Sequence, residues 1–309
     1  MRIKFSTKCL FFVLILATGL QACRQKPTKF SNDNSSRSGT ATFVADESFS
    51  PILNQELYIY TSLTPEAKPV VLYKTENEAV NMLLNDSVRV AILSRDLTAN
   101  ERAIITKRTL AIESVRFAID AVTLIVNDAS NDTTITVNDL KKMLNGQGDP
   151  NKTIVFDNPN SSLVRYLKDF SGSKGFTQKN IYALKSSKEV IKYISEHPGA
   201  LGITGFSWLN DPDKDYADYV NKVKIVGVRD EASKEFHDQY FKPSQETLVL
   251  KQYPLSRGLY MINCSSKVGL AMGFAKFLGS STGQRIILKS GLLPDSIPTR
   301  EISIKNKFN

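Results

Sequence analysis

The stretch AILSRDLTAN, residues 91–100, passes from small and apolar residues into a serine, an arginine beside an aspartate, and a threonine. Residues 88–93 read as a buried strand, and the polar run after Leu93 as the turn that ends it. Two other stretches have the same character. Ser48-Phe49-Ser50-Pro51 follows a strand over 41–44. Asn158-Pro159-Asn160-Ser161-Ser162 follows a strand over 153–156 and leads into a helix over 162–170 that carries Arg165. In open α/β sheets, ligands lie beyond the carboxyl ends of the strands. Hydroxyls and free amides at helix starts are what a bound oxyanion needs. Each feature also has a plain structural reading: Ser50 and Ser161 as helix caps, Arg95–Asp96 as a solvated turn pair.

Outward from these turns, the spacing predicts strands over 69–73, 118–126 and 222–228, and a short one after Pro198-Gly199. It predicts helices over 52–63, 76–84, 187–195, 270–278 and 283–290. Another helix opens at Thr136 and stops at Gly146. Strands alternating with helices argue an α/β protein. The folded part runs from about residue 40 to near residue 305 of the 309, a length that suits two domains. There is no internal repeat and no dinucleotide fingerprint.

The chain opens MRIKFSTKCLFFVLILATGLQAC. Arg2, Lys4 and Lys8 precede an apolar run over 9–17, shorter than the roughly 18–25 residues of a spanning helix. It reads as a secretory signal. Leu20-Gln21-Ala22-Cys23 resembles a bacterial lipobox, which implies a signal peptide over 1–22 and a lipid on Cys23. Residues 23–39 are polar and read as a flexible tether. The expected address is therefore the bacterial cell envelope, lipid-anchored and periplasmic or surface-exposed.

Removing the three signal-peptide cations from the formal charge of +9 leaves +6, which favours anionic partners. No dense basic tract with interleaved aromatics argues for nucleic acid. Of three cysteines, only Cys264 would remain free after processing, so no internal disulfide is expected; it reads as a packed core thiol. His197 reads as a helix-end residue, His237 as solvated, and Trp208 as core or rim packing. Two distant histidines and one thiol give no metal set. No nucleophile–base pair or G-x-S-x-G elbow points to an enzyme, and no cofactor is expected.

In order along the chain, SRDLT, FDNPNSSLVRYLKDF, HPGALGITGF, YPLSRGLYMIN and KFLGSSTGQRIILKSGLLP resemble segments of the PstS-like phosphate-binding proteins. The resemblance covers most of residues 40–298. It implies a two-lobed α/β fold of the periplasmic-binding-protein type (type II), with the ligand in the cleft. Lobe 1 would be 40–117 plus 248–309, and lobe 2 would be 118–247. It also implies delivery to an ABC permease, and the chain is expected to be a monomer.

Carried over residue by residue, the resemblance puts Ser48, Phe49, Thr75, Arg95, Asp96, Ser161 and Ser162 at the ligand. Asp96 would accept the proton of a singly protonated phosphate or arsenate and so discriminate against sulfate. Leu163 stands where a threonine donor is usual. Two acids depart from the pattern. Glu76 lies where the family is rich in glycine and serine, and Asp157 where better known members place an arginine. Each is either a helix-start or turn carboxylate, or a cleft acid compensated by Arg95 or Arg165. Arg257, in YPLSR, is left outside the expected set. The favoured function is capture of a small oxyanion, phosphate first. The alternative is a binding or sensory lipoprotein for another small polar ligand, with no dedicated permease.

Overall fold

A computed structural model describes residues 36–265 and 268–296. The predicted signal peptide, Cys23 and most of the predicted tether lie outside the described residues. In chain order the elements are β1 (Gly39–Asp46), α1 (Ser50–Leu63), β2 (Ala67–Lys74), α2 (Glu76–Leu84), β3 (Val90–Leu93), α3 (Ala99–Thr106) and β4 (Glu113–Asn127). Then come β5 (Thr134–Thr136), α4 (Val137–Leu144), β6 (Ile154–Phe156), α5 (Ser162–Ser171), β7 (Ile181–Ala183), α6 (Ser187–Glu196) and β8 (Leu201–Gly205). The last are α7 (Ser207–Asn210), α8 (Ala217–Val220), β9 (Val223–Ile225), β10 (Gly227–Arg229), α9 (Gln245–Val249), β11 (Ser256–Asn263), α10 (Leu270–Leu278), α11 (Ser281–Lys289) and β12 (Leu293–Pro294).

Hydroxyl residues start most of these helices. Thr75 and Thr98 each form a capping box with the glutamate three residues on, while Thr136, Ser161, Ser186 and Ser280 cap through the side-chain oxygen alone. Their apolar residues fall on one face: Leu163, Val164 and Leu167 on α5, Val190, Ile191 and Ile194 on α6.

Ten strands form one mixed sheet whose main path is β2-β1-β3-β11-β4-β8-β6-β7, with β9 and β12 also paired to β4. The long strand β4 changes partners part-way. Residues 113–121 pair antiparallel with β11, and from Val122 onward the pairing passes to β8 and then β9. Because β11 lies between β3 and β4, the two ends of the chain share a core: Phe43, Ile52 and Phe117 pack in one cluster with Leu259, Phe274 and Ile287. The other half of the sheet has its own core, with Leu124, Leu140, Phe156, Leu167 and Ile203.

The structure differs from the expected elements at three places. The strand expected over 222–228 is two strands: β9 pairs with β4, while β10 leaves to pair with β5 in a separate two-stranded sheet. Strand β4 starts earlier than its apolar run, since ESVR is held by pairing to β11 despite its exposed, charged residues. Finally, residues 36–38, assigned to the tether, already pack on the fold. Tyr60 donates to the Ser36 carbonyl at 2.9 Å, and a Cβ on Gly273 would lie 1.8 Å from that carbonyl oxygen. Only glycine fits under so close a backbone.

Candidate functional site

Strand β1 ends in Asp46, which is fully buried. Its carboxylate accepts from the Ser48 amide at 2.8 Å and from the Ser162 amide at 3.0 Å. One side chain therefore caps the single turn over Glu47–Phe49 and reaches the start of α5, 116 residues away. Burial pushes the Asp46 pKa up, the Ser48 bond opposes that, and nearby Glu76 adds to it.

Asp157 follows β6 and is also buried. It accepts from the Ser161 hydroxyl at 2.5 Å and from the Ser48 hydroxyl at 3.4 Å. Ser161 in turn accepts from the Val164 amide at 3.2 Å, so its hydroxyl is both helix cap and donor. Burial pushes the Asp157 pKa up to about 7. The Ser161 bond works against the shift and the charge of Asp46 works with it.

Arg257 completes this group from β11. It stands directly opposite Asp120 of β4, just before β4 changes partners. Its Nε and Nη2 donate to Asp120 Oδ2 at 3.0 and 2.9 Å, and its Nη1 donates to the Ser162 hydroxyl at 2.8 Å. The guanidinium lies 4.9 Å from the centre of the Phe49 ring. The pair is closed to solvent, with side chains 2% and 1% exposed. A Cβ on Gly205 would sit 3.1 Å from Asp120 and 3.3 Å from Arg257, so β8 closes over the pair with no side chain there. The Phe206 amide donates to the remaining Asp120 oxygen at 3.2 Å.

Glu76, the first residue of α2, forms a second knot. Its buried carboxylate accepts from the Ser94 hydroxyl at 2.7 Å and pairs closely with Arg165 of α5; Arg95 Nε lies 3.5 Å away. Arg165 also donates to the Ser94 hydroxyl at 2.6 Å. Arg95 spends its two other nitrogens on Glu101, at 2.8 Å each. Trp208 adds a further link, donating to the Ser48 carbonyl at 2.9 Å. Five of these contacts, Ser162 to Asp46, Ser48 to Asp157, Arg165 to Glu76, Arg165 to Ser94 and Trp208 to Ser48, join the half of the sheet with β1, β2 and β3 to the half with β6 and β8.

The structure thus gathers Ser48, Phe49, Ser161 and Ser162, together with both departing acids. Of those acids, Glu76 pairs with Arg165 and lies near Arg95 while also standing at the start of α2, so the geometry is compatible with both of its readings. Thr75 is adjacent, but its hydroxyl is taken by Glu78 within the capping box. Asp96 is not brought into the group. Its carboxylate accepts from the Leu97 amide at 2.7 Å, the Ser114 hydroxyl at 2.8 Å and Arg102 at 2.5 Å, and the Asp96 and Arg102 side chains are 41% and 37% exposed. Burial works against the charge of Asp96, but those three donors outweigh it and hold its pKa below the ordinary value. Asp46, Asp120 and Arg257 were not in the expected set. The available signal was a lone acid in FAIDAVTLIV and a lone cation in LSRGLYMIN, since charges in otherwise apolar strands need partners.

Among the described residues, no group of three or more His, Cys, Asp or Glu side chains is arranged to hold a metal, and no helix is long and apolar enough to cross a membrane. Cys264 is buried, and burial pushes its thiol pKa up to about 11, so it is not a poised nucleophile.

A family model described as the PBP superfamily domain matches residues 31–282. The chain belongs to the PBP superfamily. It is 28% identical over 261 residues to the phosphate-binding protein PstS of Borreliella burgdorferi, a match that spans 79% of this chain and 86% of that one. It is 24% identical over 287 residues to the phosphate-binding protein PstS of Bacillus subtilis, covering 86% of each. Among solved structures, a substrate-binding protein crystallised with bound phosphate, from Clostridium perfringens, superposes with a TM-score of 0.67. It is 16% identical, with 84% of this chain and all of that chain covered.

Proposed function

We propose that this PBP-superfamily chain is an extracytoplasmic receptor for a small tetrahedral oxyanion, phosphate first, which it delivers to an ABC permease. The observation that carries the reading is the junction at the start of α5. There Ser161, Ser162, Ser48 and buried Arg257 converge from both halves of the sheet. A helix start, hydroxyl donors and a guanidinium are the donor set a tetrahedral oxyanion takes. The likeness to proteins named for phosphate binding supports the choice of anion.

In this reading the acid facing the oxyanion is Asp157, not Asp96. Asp157 is held by two hydroxyls that can turn toward a ligand, whereas Asp46 is engaged by backbone amides. A carboxylate there accepts from an oxyanion that retains a proton and repels one that does not. The two cores would be two lobes, 40–117 plus 248–309 and 118–247. The cleft would lie at their junction, with β4 and the 248–259 crossing as the hinge. The lipobox supports an envelope address with lipid on Cys23, and mass spectrometry of the native mature N-terminus checks that part.

Calorimetric titration of the phosphate-stripped mature chain tests the ligand. Phosphate is expected to bind and sulfate to bind at least about tenfold more weakly, the worth of one charge-assisted hydrogen bond. No binding of either anion overturns the reading.

A further inference from the structure

A cavity of about 230 Å³ adjoins the oxyanion site. It shares Ser48 and Asp157 with that site and extends to Glu47, Ser187, Lys188 and Trp208. Its volume is well beyond the needs of four oxygens around one central atom, so a bare oxyanion leaves it unused. Its chemistry is also the reverse of the oxyanion end. Glu47 contributes a buried carboxylate oxygen, Oε1, that has no hydrogen-bond partner among the described residues. Burial pushes the Glu47 pKa up, and the charges of Asp46 and Glu78 add to the shift. The cation at the rim, Lys188, is committed elsewhere: it lies 2.7 Å from Asp215, 3.5 Å from Asp213 and over the Tyr216 ring. Beside the hydroxyls of Ser48, Ser50, Ser186 and Ser187, the cavity carries two acids and one cation already committed elsewhere, while the adjoining helix start and Arg257 carry the opposite charge. Asp157 stands between them, with one oxygen bonded to Ser161 at the helix start and the other to cavity-lining Ser48. Trp208 also lines the cavity, and an indole is the aromatic side chain that best attracts ammonium groups.

We propose that the preferred ligand is a small zwitterionic phosphonate or phosphomonoester, its phosphoryl group at the start of α5 and its ammonium arm in the cavity beside Asp157 and Glu47. The assignment rests on the oxyanion reading above and narrows its ligand class. It resolves the acid excess directly. A phosphate dianion adds negative charge beside Asp157 and Glu47, whereas an ammonium arm supplies a cationic donor to the pair and a partner for Glu47 Oε1, which has none among the described residues.

The test uses the full mature chain, stripped of phosphate, with calorimetry and the fluorescence of Trp208, the single tryptophan. The probes are inorganic phosphate, ethylphosphonate, 2-aminoethylphosphonate, phosphoethanolamine and the diester glycerophosphoethanolamine. The two amine-bearing monoanion-to-dianion probes are expected to bind at least about tenfold tighter than phosphate and ethylphosphonate, the worth of one charge-assisted bond, and to change Trp208 emission. The diester, whose phosphoryl group resembles that in a lipid headgroup, is expected to bind more weakly than phosphoethanolamine. Glu47→Gln and Ser187→Leu should each erase the amine preference and leave phosphate binding as a control for folding. If phosphate binds as tightly as the amine probes, or if E47Q keeps the preference, the proposal is overturned while the oxyanion reading stands. If no probe binds, the oxyanion reading falls and this proposal falls with it.

Discussion

Two turns of this molecule look alike in sequence and do opposite things in the fold. The turn after β6 carries Asp157 and capping Ser161; the turn after β3 carries Asp96 and capping Thr98. Each puts an aspartate between a buried strand and a capped helix. Asp157 is sealed, bonded to hydroxyls from both halves of the sheet, and its pKa is raised by burial. Asp96 is half-exposed, satisfied within its own half by Leu97, Ser114 and Arg102, and its pKa is held down by those donors. What separates them is which strands and helices close over each turn, and not the local motif.

The widest expected gap between the two regions lies in their arginines. Arg257→Ala (R257A) leaves Asp120 buried without its cation, a loss of about 3–5 kcal/mol. Arg102→Ala (R102A) breaks a partly exposed pair with Asp96, worth about 1 kcal/mol or less. Urea denaturation of both variants measures the difference. Equal losses would mean that the sealed and open regions are energetically alike.

The two aspartates should also respond to pH with opposite sign. Asp157 is protonated in the fold up to about pH 7 but ionises near 3.8 when unfolded. Its presence therefore lowers stability as pH rises from about 4 to 7, and the loss is complete above that. Asp157→Asn (D157N) removes the titration. It should match wild type near pH 4 and exceed it at pH 8 by an amount on the order of 2–4 kcal/mol. Thermal melts across pH read this directly. A gap that shrinks as pH rises would overturn the sign.

Helix caps give a smaller and more selective effect. Ser161→Ala (S161A) and Thr98→Ala (T98A) should each cost about 1 kcal/mol of stability, as capping hydroxyls do. Only S161A should also weaken oxyanion binding, because only Ser161 sits beside Asp157 and the Arg257-bonded Ser162. Phosphate titration of both variants separates cap from ligand donor.

This contrast also marks what was readable in the chain. Helix starts with a capping hydroxyl were legible because the cap acts within four residues; α2, capped by Thr75, falls on the residues expected, and Ser161 caps α5 as one of its readings had it. Serine-bearing strand ends were legible for the same local reason. The Arg257–Asp120 pair was not. It depends on the register of β11 against β4, between residues 137 apart, and no short window contains it. Asp46 was missed for a related cause. In isolation it caps a single turn, and its second bond, to Ser162, exists only once β1 and α5 meet. Asp96 lies apart from the group around Asp157, which no short window reveals, because a strand-end acid carries the same local signature whether or not another element closes over it.

The smallest expected effect is the sharpest test of that last point. Asp96→Asn (D96N) keeps an acceptor for the Leu97 amide and the Ser114 hydroxyl and removes the charge that pairs with Arg102. Because the pair is partly exposed, the loss at neutral pH should be about 1 kcal/mol or less. Asp96 has a lowered pKa in the fold, so its contribution is present above the unfolded pKa and is lost as pH falls through the folded one; D96N and wild type should converge in acid. Oxyanion affinity should stay within about twofold of wild type, and the preference for phosphate over sulfate should not move. The same titration on D157N should narrow that preference by about tenfold, the worth of one charge-assisted bond. If D96N narrows it and D157N does not, the two turns exchange roles: the open turn after β3 reads the proton of the ligand, and the sealed acid after β6 only braces the junction.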